Sequence, residues 1–184
     1  MLALEDIISG CKRNERKAQK LLYDKFSPIM MGLCLRYAKD NAEAEDVLQE
    51  GFIKIFSNID QYNGEGSFEG WMKRIVINTA ISNYRKNLKR YYQVDIEEPN
   101  VQSISSDWKT TEYTKEELLN TIKTLPEGYK IVFNLYAIEG YKHKEIGELL
   151  GIDETTSKSQ YSRAKKQIQE KLAELSKIKI VHEK

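Results

Sequence analysis

Cysteine and histidine are scarce in this chain: Cys11, Cys34, His143 and His182 are the whole supply. Two cysteines cannot build a disulfide framework, and two histidines leave no cluster with metal-ligand spacing. No metal or other cofactor is therefore expected. Long apolar runs are also missing. Nothing approaches the roughly 18 consecutive apolar residues of a membrane span, and the opening MLALEDIISGCKRNER lacks the basic-then-apolar order of a secretory signal. The expectation is a cytoplasmic chain with no stable membrane insertion. No glycine-rich phosphate loop, nucleophile elbow or His/Cys/acid constellation is present, which argues against an enzyme. With 10 glycines, 3 prolines and only short β-branched runs in 184 residues, long helices suit the pattern better than strands.

The hydrophobic share of 40% is enough for a packed core, and the charged share of 31% exceeds the average for globular proteins. The 29 basic and 28 acidic side chains leave a net charge of +1, at face value a poor fit to nucleic acid. The layout says otherwise. Residues 71–92 hold six cations (Lys73, Arg74, Arg85, Lys86, Lys89, Arg90) and no acid, whereas 40–50 hold five acids and no cation. From Thr155 onward there are eight cations against three acids. Residues 91–113 carry Lys109 against Asp95, Glu97, Glu98, Asp107 and Glu112, with no sustained apolar period, and read as an acidic flexible linker. The predicted fold is all-α: two small helical domains, 1–90 and 114–184, joined by the 91–113 linker.

Periodicity predicts helices near 2–9, 15–38, 42–59 and 68–89 in the first domain. In the second they fall near 115–124, 127–139, 142–150 and 155–176. Thr114 and Glu117 have capping-box spacing. Leu125-Pro126 separates two helices, and Gly140 and Gly151 stand where helices end.

Three helical faces carry chemistry. On the last helix Tyr161, Ala164, Ile168, Leu172 and Leu175 form an apolar stripe. The opposite side presents Thr155, Thr156, Ser159, Ser162, Arg163 and Lys166, flanked by Lys158 and Gln160, without an acid. Preceded by KHKEIGELLGI and its glycine turn, this is a helix-turn-helix pattern, in which Arg and Gln can pair with base edges. A solvated helical hairpin fits the same spacing. On the 68–89 helix Val76, Ile77, Ala80, Ile81, Tyr84 and Leu88 face one way. Trp71, Arg74, Asn78, Ser82, Arg85 and Lys86 face the other, with Ile75 intruding. Rings, an amide and cations suit an unpaired strand, and the small-residue loop 62–67 suits an extruded base. A core Trp71 with solvated cations is the alternative. On the 42–59 helix Val47, Leu48, Phe52, Ile55, Phe56 and Ile59 oppose Glu43, Asp46, Glu50 and Ser57, beside Gln49 and Ile53. That face is solvent surface or a protein-docking site.

AEDVLQEGFIKIFSNI and FEGWMKRIVINTAISNYRK in the first half resemble the sigma-70 family of bacterial RNA polymerase sigma factors, extracytoplasmic-function (ECF) group. LP (125–126), VFNLYAIEGY, KEIGELLGI and TTSKSQYSRAKKQI in the second half extend the resemblance, in the family's order and spacing. It implies a non-enzymatic subunit that directs core RNA polymerase to promoter DNA and helps melt it. By resemblance to region 2.2, Asp46, Gln49, Glu50 and Ile53 dock on the clamp helices of the largest catalytic subunit. By resemblance to regions 2.3 and 2.4, Asn63, Ser67, Phe68, Trp71, Arg74, Asn78 and Arg85 engage the −10 element and a flipped base. The region 4.2 resemblance assigns Thr155, Lys158, Ser159, Gln160, Ser162, Arg163 and Lys166 to the −35 element. The flap of the second-largest subunit, an anti-sigma factor and nucleoid association through polymerase are further implications.

The chain departs from the family at three places. Ser157 replaces a small apolar residue on the buried side of the last helix, which predicts looser packing there. Gln160 replaces an Arg, and Gly147 replaces an Ala at a small cost in helix propensity. A free-standing helix-turn-helix regulator is the rival reading; it needs neither the acidic helix nor the Trp71 stripe.

Overall fold

The computed structural model describes residues 3–91 and 113–182, all helix, turn or irregular backbone with no strand among them. The chain divides into two compact units, Met1–Gln93 and Val94–Lys184. Apart from Tyr91 and Tyr113, the expected acidic linker lies outside the described residues.

In the first unit, α1 (Leu4–Lys12), α2 (Arg16–Tyr37), α3 (Asn41–Ser57) and α4 (Phe68–Tyr91) pack with α2 against each of the other three. Along α2, Leu22, Phe26, Met30, Leu33 and Tyr37 are buried, a stripe of three- and four-residue steps that faces one core. α1 runs past the expected end because Gly10 serves packing rather than termination. A methyl group there would lie 2.6 Å from the Ala18 Cβ, so the absent side chain lets α1 and α2 touch. α3 is capped by Asp40, whose carboxylate accepts the Glu43 amide at 2.8 Å, while the Glu43 carboxylate accepts the Lys39 amide at 2.8 Å. It stops two residues before the expected boundary. There the Asn58 side-chain amide donates to the Lys54 carbonyl at 2.8 Å and the chain tightens into a 3₁₀ turn over Ile59–Gln61.

The second unit contains α5 (Lys115–Lys123), α6 (Glu127–Phe133), α7 (His143–Leu150) and α8 (Glu154–His182). Ile122, Leu125, Phe133, Ala164, Ile168 and Leu172 form a core cluster gathered from α5, α6, α8 and the turn between α5 and α6. The Thr114–Glu117 capping box is closed by both bonds, at 2.9 and 3.2 Å. The expected 127–139 helix is not α-helical throughout: Asn134–Ile138 form a π-helical turn. Its last bond runs from the Glu139 amide to the Asn134 carbonyl at 3.0 Å. Asn134 and Leu135 stay buried while Tyr136 and Ile138 turn outward.

Between α7 and α8, Gly151 takes a left-handed φ of 71° and its amide reaches the Gly147 carbonyl at 2.8 Å. The Ile152 amide reaches the same carbonyl at 3.0 Å, completing the tight turn of a helix-turn-helix. α8 continues beyond the expected 176 to His182, and on its stripe Leu175 is 37% exposed because the helix has run past the core cluster.

Candidate nucleic-acid and protein interfaces

α3 separates its residue types by face. Val47, Leu48, Phe52, Ile55 and, just past its end, Ile59 are buried. Asp46 and Gln49 are exposed, and Ile53 is 65% exposed, the highest of the large hydrophobics in the described residues. An apolar side chain placed among carboxylates and left in water is the composition of a docking patch. Glu50 is half-buried and tied to Lys54 at 2.7 Å; this bond holds its carboxyl below the usual range. A half-exposed i,i+4 pair is worth only about 0.3–0.5 kcal/mol, so an incoming cation could replace Lys54 cheaply. Lys54 also donates to the buried Thr79 hydroxyl of α4 at 3.3 Å. Near it Gly51 lets α3 approach α4: a Cβ there would meet the Val76 Cγ2 at 3.1 Å.

The loop before α4 is built around Tyr62. Its hydroxyl donates to the Gly66 carbonyl at 2.9 Å, and its ring packs 4.9 Å from Phe68 and 5.7 Å from Trp71. Asn63 folds back to accept the Glu65 amide at 3.0 Å, and Gly64 and Gly66 take φ values of 86° and 74° that favour glycine. Ser67 ends the loop, its hydroxyl accepting the Gly70 amide at 3.4 Å.

Of the seven residues assigned to the −10 element, Asn63, Ser67, Arg74, Asn78 and Arg85 are exposed and Trp71 is half-buried. Phe68 differs from the other six in being buried, at 4% exposure. It packs edge-on to Phe26 at 5.9 Å and stacks under Trp71 at 5.5 Å, so it supports the wall rather than facing it. Tyr62, which organises the loop, stands outside the seven, because helical periodicity does not extend into the loop. Its signal was an aromatic residue beside Asn63-Gly64. No acid follows Glu69 in α4, and Glu69 itself is paired with Lys73 at 2.7 Å.

On α8 Thr155, Lys158 and Lys166 are exposed, and Ser159, Gln160, Ser162 and Arg163 are half-buried. The face is less purely basic than the sequence implied. Glu154 pairs with Lys158 at 2.6 Å and Glu170 approaches Lys166 at 3.9 Å. The expected looseness at Ser157 is also corrected. Ser157 is fully buried, and its hydroxyl lies 3.0 Å from Nδ1 of His143 on α7. The imidazole stacks on Tyr136 at 4.2 Å. Burial, reinforced by Lys158, moves the His143 pKa below its ordinary value despite the opposing Glu154 carboxylate. A polar pair thus fills the place of an apolar contact and pins the first turn of α8 to α7. Among the described residues no group of His, Cys, Asp or Glu could hold a metal ion, and no helix is long and apolar enough to cross a membrane.

Two helical units, one carrying an acidic face and an aromatic-basic face and the other a helix-turn-helix, have the architecture of a DNA-binding protein. Family models agree: Sigma-70 region 2 matches residues 22–90 and Sigma-70 region 4 matches residues 115–168. The chain is 30% identical over 180 residues to the ECF RNA polymerase sigma factor SigW of Bacillus subtilis (strain 168), covering 91% of this chain and 96% of that one. It is 28% identical over 180 residues to the ECF RNA polymerase sigma-E factor of Haemophilus influenzae, covering 92% and 95%. A solved structure of the sigma factor RpoE, in complex with the anti-sigma factor NepR from Bartonella quintana, shares the fold. There the TM-score is 0.50 and the identity 19%, with 84% of this chain and 96% of that chain covered. The chain belongs to the ECF group of sigma-70 family RNA polymerase sigma factors. It is a promoter-specific transcription initiation factor that works with core RNA polymerase and promoter DNA, and not an enzyme.

Proposed function

We propose that the two units divide promoter recognition between them. Residues 1–90 dock on polymerase and engage the −10 element, residues 114–184 read the −35 element, and residues 91–113 join them. In the first unit Asp46, Gln49, Glu50 and Ile53 meet the clamp helices of the largest catalytic subunit. Asn63, Ser67 and Tyr62 border a place for one extruded base against Trp71, with Asn78 beside it and Arg74 and Arg85 on the backbone phosphates. In the second unit Thr155, Lys158, Ser159, Gln160, Ser162, Arg163 and Lys166 lie along the major groove, with the flap of the second-largest subunit as the protein partner of this unit. Bound to polymerase, the chain travels with the nucleoid, and an anti-sigma factor restrains it by covering one of these faces.

The observation that carries the reading is the half-exposed Tyr62–Trp71 pair, 5.7 Å apart, next to exposed Asn63 and at the start of α4, a helix that exposes Asn78 and whose single acid, Glu69, is paired with Lys73. A helix-turn-helix regulator of duplex DNA has no use for such a wall. Run-off transcription with purified core polymerase tests the proposal. A product that depends on both promoter elements is expected. Tight duplex binding by the chain alone, with no promoter-dependent transcript, would overturn it.

A further inference from the structure

The region 2 match begins at residue 22, which leaves α1 outside it. Yet α1 makes a directed contact with the base-accepting loop: the Lys12 ammonium, half-buried, donates to the Tyr62 carbonyl at 2.8 Å. Tyr62 holds the loop from its other side, through its hydroxyl on Gly66 and its ring against Phe68 and Trp71. α1 itself is held firmly, since Gly10 sits against Ala18 and the Glu15 amide closes onto the Gly10 carbonyl at 3.0 Å. The chain of support therefore runs from α2 through α1 to Lys12, the Tyr62 carbonyl and the loop that presents Asn63 and Ser67.

We propose that Lys12 is a positioning residue for base selection: it fixes the backbone at Tyr62, and through it the shape of the 62–67 loop. The proposal rests on the base-accepting reading of that loop. A lysine suits the task because its flexible stem spans from one helix to another element, while a charge-assisted bond to a half-buried carbonyl is stronger than a neutral one.

The test reconstitutes the full-length chain with core polymerase and measures binding of single-stranded non-template −10 oligonucleotides that differ at one base. Lys12→Met keeps the stem and removes the donor; it is expected to lower discrimination at the extruded base roughly three- to tenfold, the ordinary worth of one hydrogen bond. Lys12→Arg, which keeps a donor, is expected to retain most of the discrimination. In the free chain, hydrogen exchange at the 63–67 amides should quicken in Lys12→Met and stay slow elsewhere. Unchanged discrimination and unchanged loop exchange overturn the proposal, as does an equal loss of affinity on every oligonucleotide. Trp71→Ala separates the two ideas: if it leaves discrimination intact, the base-accepting reading fails, and base selection by Lys12 falls with it. Lost discrimination in Trp71→Ala alongside wild-type behaviour in Lys12→Met removes Lys12 alone.

Discussion

A methyl group at Gly147 would sit 2.7 Å from the Ile152 carbonyl oxygen, inside the turn that joins the two helices of the DNA-reading hairpin. From sequence the glycine is a defect of about 1 kcal/mol in a helix; in this fold the turn is drawn in so closely that a Cβ there would force the Ile152 backbone to shift. Gly147→Ala should therefore lower the thermal midpoint, a net loss on the order of 1 kcal/mol once overpacking outweighs propensity. Circular dichroism melting checks this, and a raised midpoint would return the residue to the status of a defect. The His143–Ser157 pair gives a pH dependence. Because the folded protein holds the imidazole neutral below its usual pKa, the unfolded chain binds the extra proton first as pH falls. The stabilisation is full above about pH 6.5 and is lost downward toward the depressed folded value. Denaturant titrations at about pH 7.5 and about pH 5.5 should show that difference in wild type and a smaller one in His143→Gln. Arg163→Ala should cost roughly 1–3 kcal/mol on the preferred −35 sequence if the guanidinium pairs with a base edge. Equal weakening on all duplexes in a binding titration would restrict it to phosphate.

At the scale of the element, the α3 periodicity separated Val47, Leu48, Phe52 and Ile55 from Asp46, Gln49 and Ile53, and the fold keeps that division. The i,i+4 spacing of Glu50 and Lys54 allows an ion pair, and the structure shows it formed, so Glu50 is already engaged within α3. Asp46→Lys with Ile53→Asp should weaken association with core polymerase at least tenfold while leaving the helical content intact, because both residues lie outside the core. Co-elution with core enzyme at wild-type levels would remove α3 from the interface. α4 and α6 show where element-level reading stops. Phe68 has the composition of a stacking residue and the position of a supporting one; only its burial beneath Trp71 decides between them. The π turn at Asn134–Ile138 changes which side chains face out without any proline or glycine inside it to announce the change.

For the whole molecule, a net charge of +1 is a cancellation between surfaces of opposite sign. The basic faces of α4 and α8 are offset by α3, by the acids of 91–113 and by carboxylates such as Glu154 and Glu170 within reach of α8's own lysines. The free chain should accordingly bind duplex DNA weakly and with a shallow dependence on salt. The complex with core polymerase should bind promoter DNA tightly and with a steeper one. Anisotropy titrations across a salt series measure both slopes; tight, steeply salt-dependent binding by the free chain would contradict the cancellation.

The sequence by itself determined the all-α class, the caps at Thr114 and Gly151, the buried stripes and the segregation of charge. Each of these is set by neighbours within about two helical turns, where periodicity and backbone preference act. Only the tertiary structure decided that Phe68 lies under Trp71, that Tyr62 organises the loop, that Ser157 is held by His143, that Gly147 sits against Ile152, and that Lys12 reaches Tyr62. Most of these join residues from different elements, Lys12 and Tyr62 across fifty positions, and no local pattern encodes which distant partner a side chain will meet.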